Sequence, residues 1–412
     1  MQITALSWLV YDISGSAMQV GLTGFVRTVP FILITLYAGT VVDRVDRRRL
    51  LMWIEGMNMV LTLALGIIVA SGQVQLWHIY LVNFGIGAVA AFEAPARSSL
   101  LPYLVPKEDL MTAVSLNSSV RKGSQVIGPA LGGLFVASYG VAGAFFIHSG
   151  AYCILMACLF MMRSTNPIDE RTGRNALQSI VDGFKYVAGE RPLLTLLVLQ
   201  STVSLFGAVQ PMMVVFAKDI YGSGAIGLGL LQSAVGVGAI AGSMMLAMRG
   251  DIYYKGRLIF WSGVCFGLSM IAFSQAPSMI IAMPLLVLCG FFDMLVGTSK
   301  QTLVQLMVDR RVMGRVMSLN SIAGRGFGQA SGFQSGAITS VIGVQAATAI
   351  GGTICLLAIF VARFVSPAVF SFTGSGTLGE DIEREREESR RSGGGPSGDA
   401  ALTSSGAPAV RE

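Results

Sequence analysis

The chain has 412 residues, of which 53% are hydrophobic and 13% charged, and its net charge is +6. A typical soluble domain carries about 25% charged residues, roughly twice this share. The composition therefore excludes a soluble globular protein and indicates a multi-span membrane protein, with room for about a dozen spans of about 20 residues each. The five cysteines all lie in apolar runs without C-x-x-C spacing, so we expect neither disulfides nor a metal site.

Apolar windows predict eleven helices of membrane-spanning length. They cover residues 18–42, 51–71, 77–98, 110–137, 141–162, 193–216, 225–248, 258–275, 278–299, 313–341 and 344–366. Segment 1–11 is also apolar, but at about 1.5 Å per residue it crosses only about half of the hydrocarbon core. We therefore expect a twelfth helix, first in the chain, of which this sequence holds the far end.

Basic residues cluster in the loops on one side of these helices. They are Arg44, Arg47, Arg48, Arg49, Lys107, Arg163, Arg171, Arg174, Arg191, Arg249, Lys255, Arg257, Arg310, Arg311 and Arg315. The other side carries only Lys218. The positive-inside rule makes the basic side cytoplasmic, and the chain after Pro367 then lies in the cytoplasm as well.

Four regions follow from this pattern. Residues 1–162 form an N-terminal helical bundle and residues 193–368 a C-terminal one. Residues 163–192 connect them and have the periodicity of an amphipathic helix lying in the inner membrane interface. Residues 369–412 are rich in charged residues, Gly and Ser, so we expect a disordered cytoplasmic tail.

The two bundles also share an internal repeat. One set of residues recurs at a shift of 208 (251 − 43) and another at a shift of 203 (300 − 97). The first set pairs Asp43, Arg49 and Trp53 with Asp251, Arg257 and Trp261; the second pairs Arg97, Asn117 and Lys122 with Lys300, Asn320 and Arg325. Repeats of this kind are typical of transporters with a substrate site between the halves.

The loop between the first two full helices carries a dense charged motif. Its residues are Gly39, Asp43, Arg44, Asp46, Arg47 and Arg48. A carboxylate at a helix end can accept charge-assisted hydrogen bonds from neighbouring cations and helix N-termini, which would latch one conformation. The alternative is that these arginines only set the topology.

This loop resembles the G-x-x-x-D-R-x-G-R-R motif of the major facilitator superfamily, with Asp46 at a position where that family usually has glycine. Further stretches resemble the branch that holds the enterobactin exporter and macrolide efflux proteins: Phe92–Arg97, Gly128–Gly133 and Gly314–Ser318. The resemblance implies an all-α integral membrane protein of two pseudo-symmetric six-helix bundles, with the first helix truncated. It also implies a gating role for the loop motif.

Several ionisable residues lie inside predicted spans, where each is costly and suggests a function. Arg27 lies near mid-depth and faces either a cavity or a structural ion pair. Arg121, Lys122 and Arg325 lie at pseudo-equivalent depths. If these residues face a central cavity, they make it cationic and favour an anionic or phenolic substrate.

Two acids are candidates for proton coupling. Asp293 has no opposite charge three or four residues away on its helix, so it is either a proton carrier or an interhelix partner of Arg325 or Arg27. Glu93 lies four residues before Arg97, and an i, i+4 ion pair at the inner interface is the simplest expectation. Glu55, near the same interface, is expected to be solvated.

Small residues and a proline concentrate on the predicted fifth helix, at Gly128, Pro129, Gly132 and Gly133. They allow close helix packing and a kink. In the superfamily this pattern resembles the antiporter motif, with Ser124 in place of a glycine.

The leading hypothesis is a proton-coupled exporter of a small amphiphilic organic molecule (a drug, siderophore or secondary metabolite) that works by alternating access. It would be a monomer in the bacterial plasma membrane, with protons and lipid as its other partners, no cofactor and no nucleic acid. Importers and non-transporting receptors or scaffolds on the same fold are the alternatives. An enzyme is not expected, since the sequence has no phosphate loop and no H-E-x-x-H motif.

Overall fold

A computed structural model describes residues 1–100, 104–106, 109–162, 184–249, 254–308 and 312–371. All regular elements in these ranges are helices. We call residues 1–162 the first half and residues 184–371 the second half. The predicted linker lies outside the described residues up to residue 183, and the predicted tail lies outside them from residue 372.

The first half contains five helices. They are α1 (Gln2–Ser14), α2 (Ala17–Arg44), α3 (Arg47–Ala70), α4 (Leu76–Leu100) and α5 (Leu110–Met161). Helix α5 is a hairpin of two spans, because Gly140 leaves the helical conformation with φ 72° and ψ 176°. A positive φ of this size is open to glycine at little steric cost, so the chain reverses there without a loop.

The second half begins with α6 (Arg191–Phe206) and an irregular stretch, Gln210–Ile220, made of a 3₁₀ turn, one α turn and a π turn. The remaining helices are α7 (Gly224–Arg249), α8 (Lys255–Ser274), α9 (Met279–Met307), α10 (Met313–Ser321), α11 (Phe327–Ile342), α12 (Val344–Val365) and α13 (Pro367–Ser371). A π turn, Ile322–Gly326, joins α10 to α11.

The predicted spans are confirmed in order, with local differences. Nine helices within the described ranges have the length and apolarity to cross a membrane, and one of them is the double span of α5, so they account for ten of the eleven predicted spans. The helix predicted over 193–216 ends at Phe206, because Gly207 follows and Pro211 has no backbone N–H for a helical hydrogen bond. The helix predicted over 313–341 is interrupted by the π turn.

Ordered structure also continues past the predicted start of the tail. In α13, Val369 and Phe370 are buried, and their backbone lies against Gly256 of α8. Ordered helix therefore extends through residue 371 rather than ending at 368.

Consecutive helices alternate in direction, and this defines two ends of the molecule. We call the end with the loops after α2, α4, α7 and α9 the basic end, and the end with the loops after α1, α3, α6 and α8 the opposite end. Side-chain contacts agree with this assignment. Arg48 reaches Leu159 and Phe160 at the basic end, and Lys218 reaches Asp12 at the opposite end.

The halves meet through two backbone-to-backbone contacts. Helix α2 packs on α11, where a Cβ on Gly21 would lie 2.0 Å from the Gly332 carbonyl oxygen. Helix α5 packs on α7, where a Cβ on Gly133 would lie 2.4 Å from the Ala225 carbonyl oxygen. Only glycine lets backbones approach this closely, as is typical of helix pairs in membranes.

Replacing Gly21 with alanine should separate α2 from α11. We expect the melting temperature of the purified protein to fall by about 5 °C or more, the range for overpacking at a tight contact. Gly150→Ala is the matched control, because Gly150 is also inside a helix but has open space around its missing Cβ. Equal melting temperatures for the two variants would contradict the contact.

Candidate functional site

A cavity of about 830 Å³ lies between the two halves. Helices α1, α2, α4 and α5 line it from the first half. Helices α6 to α11 and the irregular stretch after α6 line it from the second. Its wall combines apolar residues such as Phe266 and Met213 with many amide and hydroxyl side chains. Such a cavity fits a small organic molecule that has both apolar and polar parts.

Four charged side chains line the cavity among the described residues: Arg27, Arg121, Asp293 and Lys300. Arg27 and Arg121 come from the first half, and Asp293 and Lys300 lie on α9 of the second. Three cations face one carboxylate, so the wall has a net positive charge. The sequence predicted Arg27, Arg121 and Asp293 as cavity or coupling residues, and the structure brings all three together.

Arg27 lies deep in the bundle, and its Nε is buried without a hydrogen-bond partner. An unsatisfied buried donor costs about 1–3 kcal/mol, more for a charged group. No ion pair joins Arg27 to Asp293 in the described part of the chain. The two residues are therefore not joined in the described structure, and Glu93 is a carboxylate that acts on Arg27 through its charge.

The other predicted cavity residues lie elsewhere. Lys122 is half-buried on α5, outside the described lining of the cavity. Arg325 belongs to the π turn between α10 and α11, but its side chain lies outside the described part of the structure.

Glu93 also lies away from the described cavity lining, in an ion cluster near the basic end. Arg97 Nη2 donates to Glu93 at 2.8 Å and to Glu55 at 2.9 Å. The predicted Glu93–Arg97 pair is confirmed, but the expectation that Glu55 is solvated was wrong, since only 3% of its side chain is exposed. Helix α3 buries Glu55 against α4, and Arg97 compensates its charge.

The loop motif divides between two roles in the described structure. Asp46 caps α3 by accepting hydrogen bonds from the backbone N–H groups of Arg48 and Arg49, at 2.9 and 3.2 Å. Asp46 therefore replaces the usual glycine with a standard helix N-cap. Arg48 donates to the carbonyl oxygens of Leu159 and Phe160, which ties α3 to the end of α5.

Arg47, the remaining described side chain of the motif, is buried at the start of α3. The side chains of Asp43 and Arg44, and the surroundings of Gly39, lie outside the described part of the structure.

The glycine-rich stretch of α5 serves close packing. Gly133 contacts Ala225 and Gly229 of α7, the Pro129 carbonyl faces Gly229, and Gly132 lies against α1. Gly128 is next to the start of the chain, where a Cβ on this residue would lie 3.6 Å from the Met1 nitrogen. Helical dihedral angles continue through Pro129, and within α5 they are lost only at Gly140.

The opposite end is closed by polar contacts between the halves. Asp12 accepts a hydrogen bond from Lys218 Nζ at 2.7 Å, and the Tyr11 hydroxyl donates to Asp219. Lys218 Nζ also lies 5.6 Å from the centre of the Trp8 ring and 5.7 Å from that of Tyr11. We call these five residues the end latch. Deeper in the interface, Thr4 donates to Gln232 at 2.7 Å.

The polar contacts between the halves that the structure describes lie towards the opposite end. The contact of α2 with the second half reaches Ile32, which lies near Gly326. Beyond that level α10 packs mainly on α6 and on the adjoining π turn, both in its own half. Tyr37 of α2 and Val120 of α5 are 60% and 64% exposed there. The cavity thus lies in a bundle closed at the opposite end.

Comparison with known proteins assigns the chain to a family. The family model described as "transmembrane secretion effector" matches residues 1–371. The chain belongs to this family of the major facilitator superfamily. It is 24% identical over 363 residues to a staphyloferrin A transporter of Staphylococcus aureus, covering 86% of this chain and 90% of that protein.

Two further likenesses agree. The chain is 25% identical over 322 residues to an enterobactin exporter of Shigella boydii, covering 77% of this chain and 73% of the exporter. Its fold is similar to that of the nucleoside transporter NupG, with a TM-score of 0.70 at 12% identity, covering 88% of this chain and 98% of NupG. The protein is thus a multi-pass membrane transporter of the major facilitator type and not an enzyme.

Lys300 is the main functional candidate that the sequence did not reveal as a cavity residue. The repeat pairs it with Arg97, which sits in the ion cluster near the basic end, so its position in the cavity was not anticipated. The end latch was missed as well, because its members are far apart in sequence and only Lys218 stood out. The sequence did contain a signal for the latch: acidic residues lie near the ends of predicted spans, on the same side of the membrane as the single lysine.

Removing the end latch should open the opposite end more often. In a variant with Cys289 as the only cysteine, we expect Tyr11→Phe combined with Asp12→Asn to speed the reaction of Cys289 with a membrane-impermeant maleimide added to that side. Partly exposed polar pairs each contribute about 0.2–1 kcal/mol, so about a fivefold increase is expected. Tyr139→Phe, an exposed tyrosine at the same end, should have no effect. Unchanged labelling in the double variant would refute the latch.

Proposed function

We propose that this protein exports a small amphiphilic molecule that carries at least one acidic group, in exchange for protons and by alternating access. It would act as a monomer in a bacterial plasma membrane with its C-terminus in the cytoplasm. The observation that carries the proposal is the cavity between the halves, whose described lining contains three cationic side chains and a single carboxylate.

The acidic group of the substrate follows from charge balance. In the described lining of the cavity, Arg27, Arg121 and Lys300 outnumber the one carboxylate, Asp293, by two charges. Glu93 acts on Arg27 through its charge from outside that lining, and Arg27 keeps an unsatisfied buried donor. A bound anion would supply both the missing charge and the missing acceptor. The apolar wall around Phe266 and Met213 suits the hydrocarbon part of such a molecule. The names of two relatives, a staphyloferrin A transporter and an enterobactin exporter, favour molecules of this kind.

Proton coupling is assigned to Asp293. Its side chain is exposed to the water of the cavity although helices surround it on the other sides. A carboxylate in that position can exchange a proton with whichever side the cavity faces. Glu93 is the less suitable acid, because Arg97 already holds it in an ion pair.

Conformational exchange is assigned to the contacts between the halves. With the end latch closed the cavity would load from the basic end, which the positive-inside rule makes cytoplasmic. Rocking about the α2–α11 and α5–α7 contacts would break the latch and bring the basic ends together. The arginines of the loop motif would then stabilise the closed basic end. This direction of loading favours export over import.

Proton exchange can be tested in everted membrane vesicles energised by respiration. We expect enterobactin or staphyloferrin A to accumulate inside vesicles that contain the protein, and a protonophore to abolish the accumulation. Asp293→Asn should lower accumulation at least about tenfold while substrate binding persists, because the proton carrier is lost. Accumulation that the protonophore leaves unchanged would exclude proton coupling. Accumulation in right-side-out vesicles instead would identify an importer.

Arg27→Ala should abolish export without reducing the amount of protein in the membrane. Losing a buried charge that pairs with the substrate costs about 2–5 kcal/mol, so export should fall by about thirtyfold or more. Arg363→Ala is the control, since Arg363 is an exposed arginine near the end of α12 outside the cavity. Export by Arg27→Ala at the level of the control would assign Arg27 a purely structural role.

A further inference from the structure

Helix α9 has an open notch in its cavity-facing side. Asp293 and Lys300 are seven residues apart, which puts their Cα atoms about 10 Å apart along the helix axis. Gly297 lies between them, also lines the cavity, and has no atom within 4 Å of where its Cβ would be. We call Asp293, Gly297 and Lys300 the α9 notch. It is an empty space with one charge of each sign at its ends.

The Lys300 ammonium has neither an ion-pair nor a hydrogen-bond partner among the described residues. Its exposure is only 4%, although it contributes to the cavity wall. Among the described residues no carboxylate lies within 4.0 Å of its Nζ, and no hydrogen bond to it is found. A buried ammonium without a partner costs several kcal/mol. The structure therefore holds a cation ready for an anion that comes from outside the chain.

Asp293 at the other end of the notch is near enough to affect Lys300 but does not bind it. The two groups interact through their charges, and Cys289 of α9 and Cys355 of α12 are the other titratable groups near them. Arg121 and Arg27 face the same cavity from the first half. A direct ion pair would fill the notch, whereas two separated charges leave it open to a ligand.

We propose that the α9 notch binds a dipolar group of the substrate, with its acid on Lys300 and a neighbouring ammonium or hydroxyl donor on Asp293. This rests on the proposed function and narrows the substrate to amphoteric molecules, in which an acid and a donor are close together. Thr298 and Gln301 line the same side of α9 and add polar contacts for such a group.

The proposal explains how a proton can be exchanged for an acidic substrate. If the substrate offered only an acid, protonating Asp293 would strengthen its binding to Lys300, and substrate and proton would travel together. A donor on Asp293 reverses this relation, because donor and proton then compete for the same carboxylate. Substrate loading releases one proton from Asp293 to the cavity water, and rebinding of one proton expels the donor. Competition at one site is the requirement for exchange in opposite directions.

The test measures the electrostatic potential in the notch. Gly297→Cys is made in a background in which all five native cysteines are replaced by serine, because Cys153 and Cys158 are exposed and would react as well. The variant is treated with two reagents of opposite charge, sulfonatoethyl and trimethylammonioethyl methanethiosulfonate. We expect both to react, because the notch is open and its two charges balance. Lys300→Gln should lower the ratio of anionic to cationic reaction rates about tenfold, and Asp293→Asn should raise it about tenfold.

Gly328→Cys is the matched control, because Gly328 also lines the cavity with open space at its Cβ but lies on α11. The two charge changes should alter its rate ratio less than that of residue 297. The proposal is overturned if residue 297 reacts with neither reagent, or if either charge change leaves its ratio unaltered. These rates need no substrate, so a failure of export in vesicles would overturn the proposed function while leaving the notch measurement intact.

Discussion

Direct contact between backbones is the constraint on which this molecule depends. Gly21 against Gly332 and Gly133 against Ala225 bring helices of different halves closer than any side chain allows. Because lipid is as apolar as the residues it surrounds, close packing rather than hydrophobic burial holds such helices together. The two contacts lie on either side of the cavity and towards the opposite end.

The described charges of the protein fall into three groups. In the end latch at one end, Asp12 and Asp219 are exposed, Lys218 is partly exposed and Tyr11 is buried. In the cavity, Arg27 Nε has no hydrogen-bond partner among the described residues. The Glu55–Arg97–Glu93 cluster, by contrast, is satisfied within the first half and does not cross to the second. The cluster therefore stabilises the first half, whereas the end latch joins the two halves.

Much of the helix arrangement could be predicted from the sequence, because long apolar runs indicate membrane spans and basic loops indicate their orientation. The Glu93–Arg97 pair followed from helical spacing, and Arg27 stood out as an arginine inside a span. Glu55 and Lys300 could not be placed, since whether a residue near a span end faces lipid, water or another helix depends on the rotation of its helix. The break after Phe206 was also hidden: apolar residues continue through it, and only Gly207 and Pro211 mark it.

The reversal of α5 at Gly140 has a mechanical consequence. Its two spans are joined by one residue instead of a flexible loop, so there is no slack to absorb a tilt of either span. The first span carries the contact with α7, and the second packs on α3, where Phe146 lies against Gly66. The short reversal at Gly140 therefore couples the α5–α7 contact mechanically to α3.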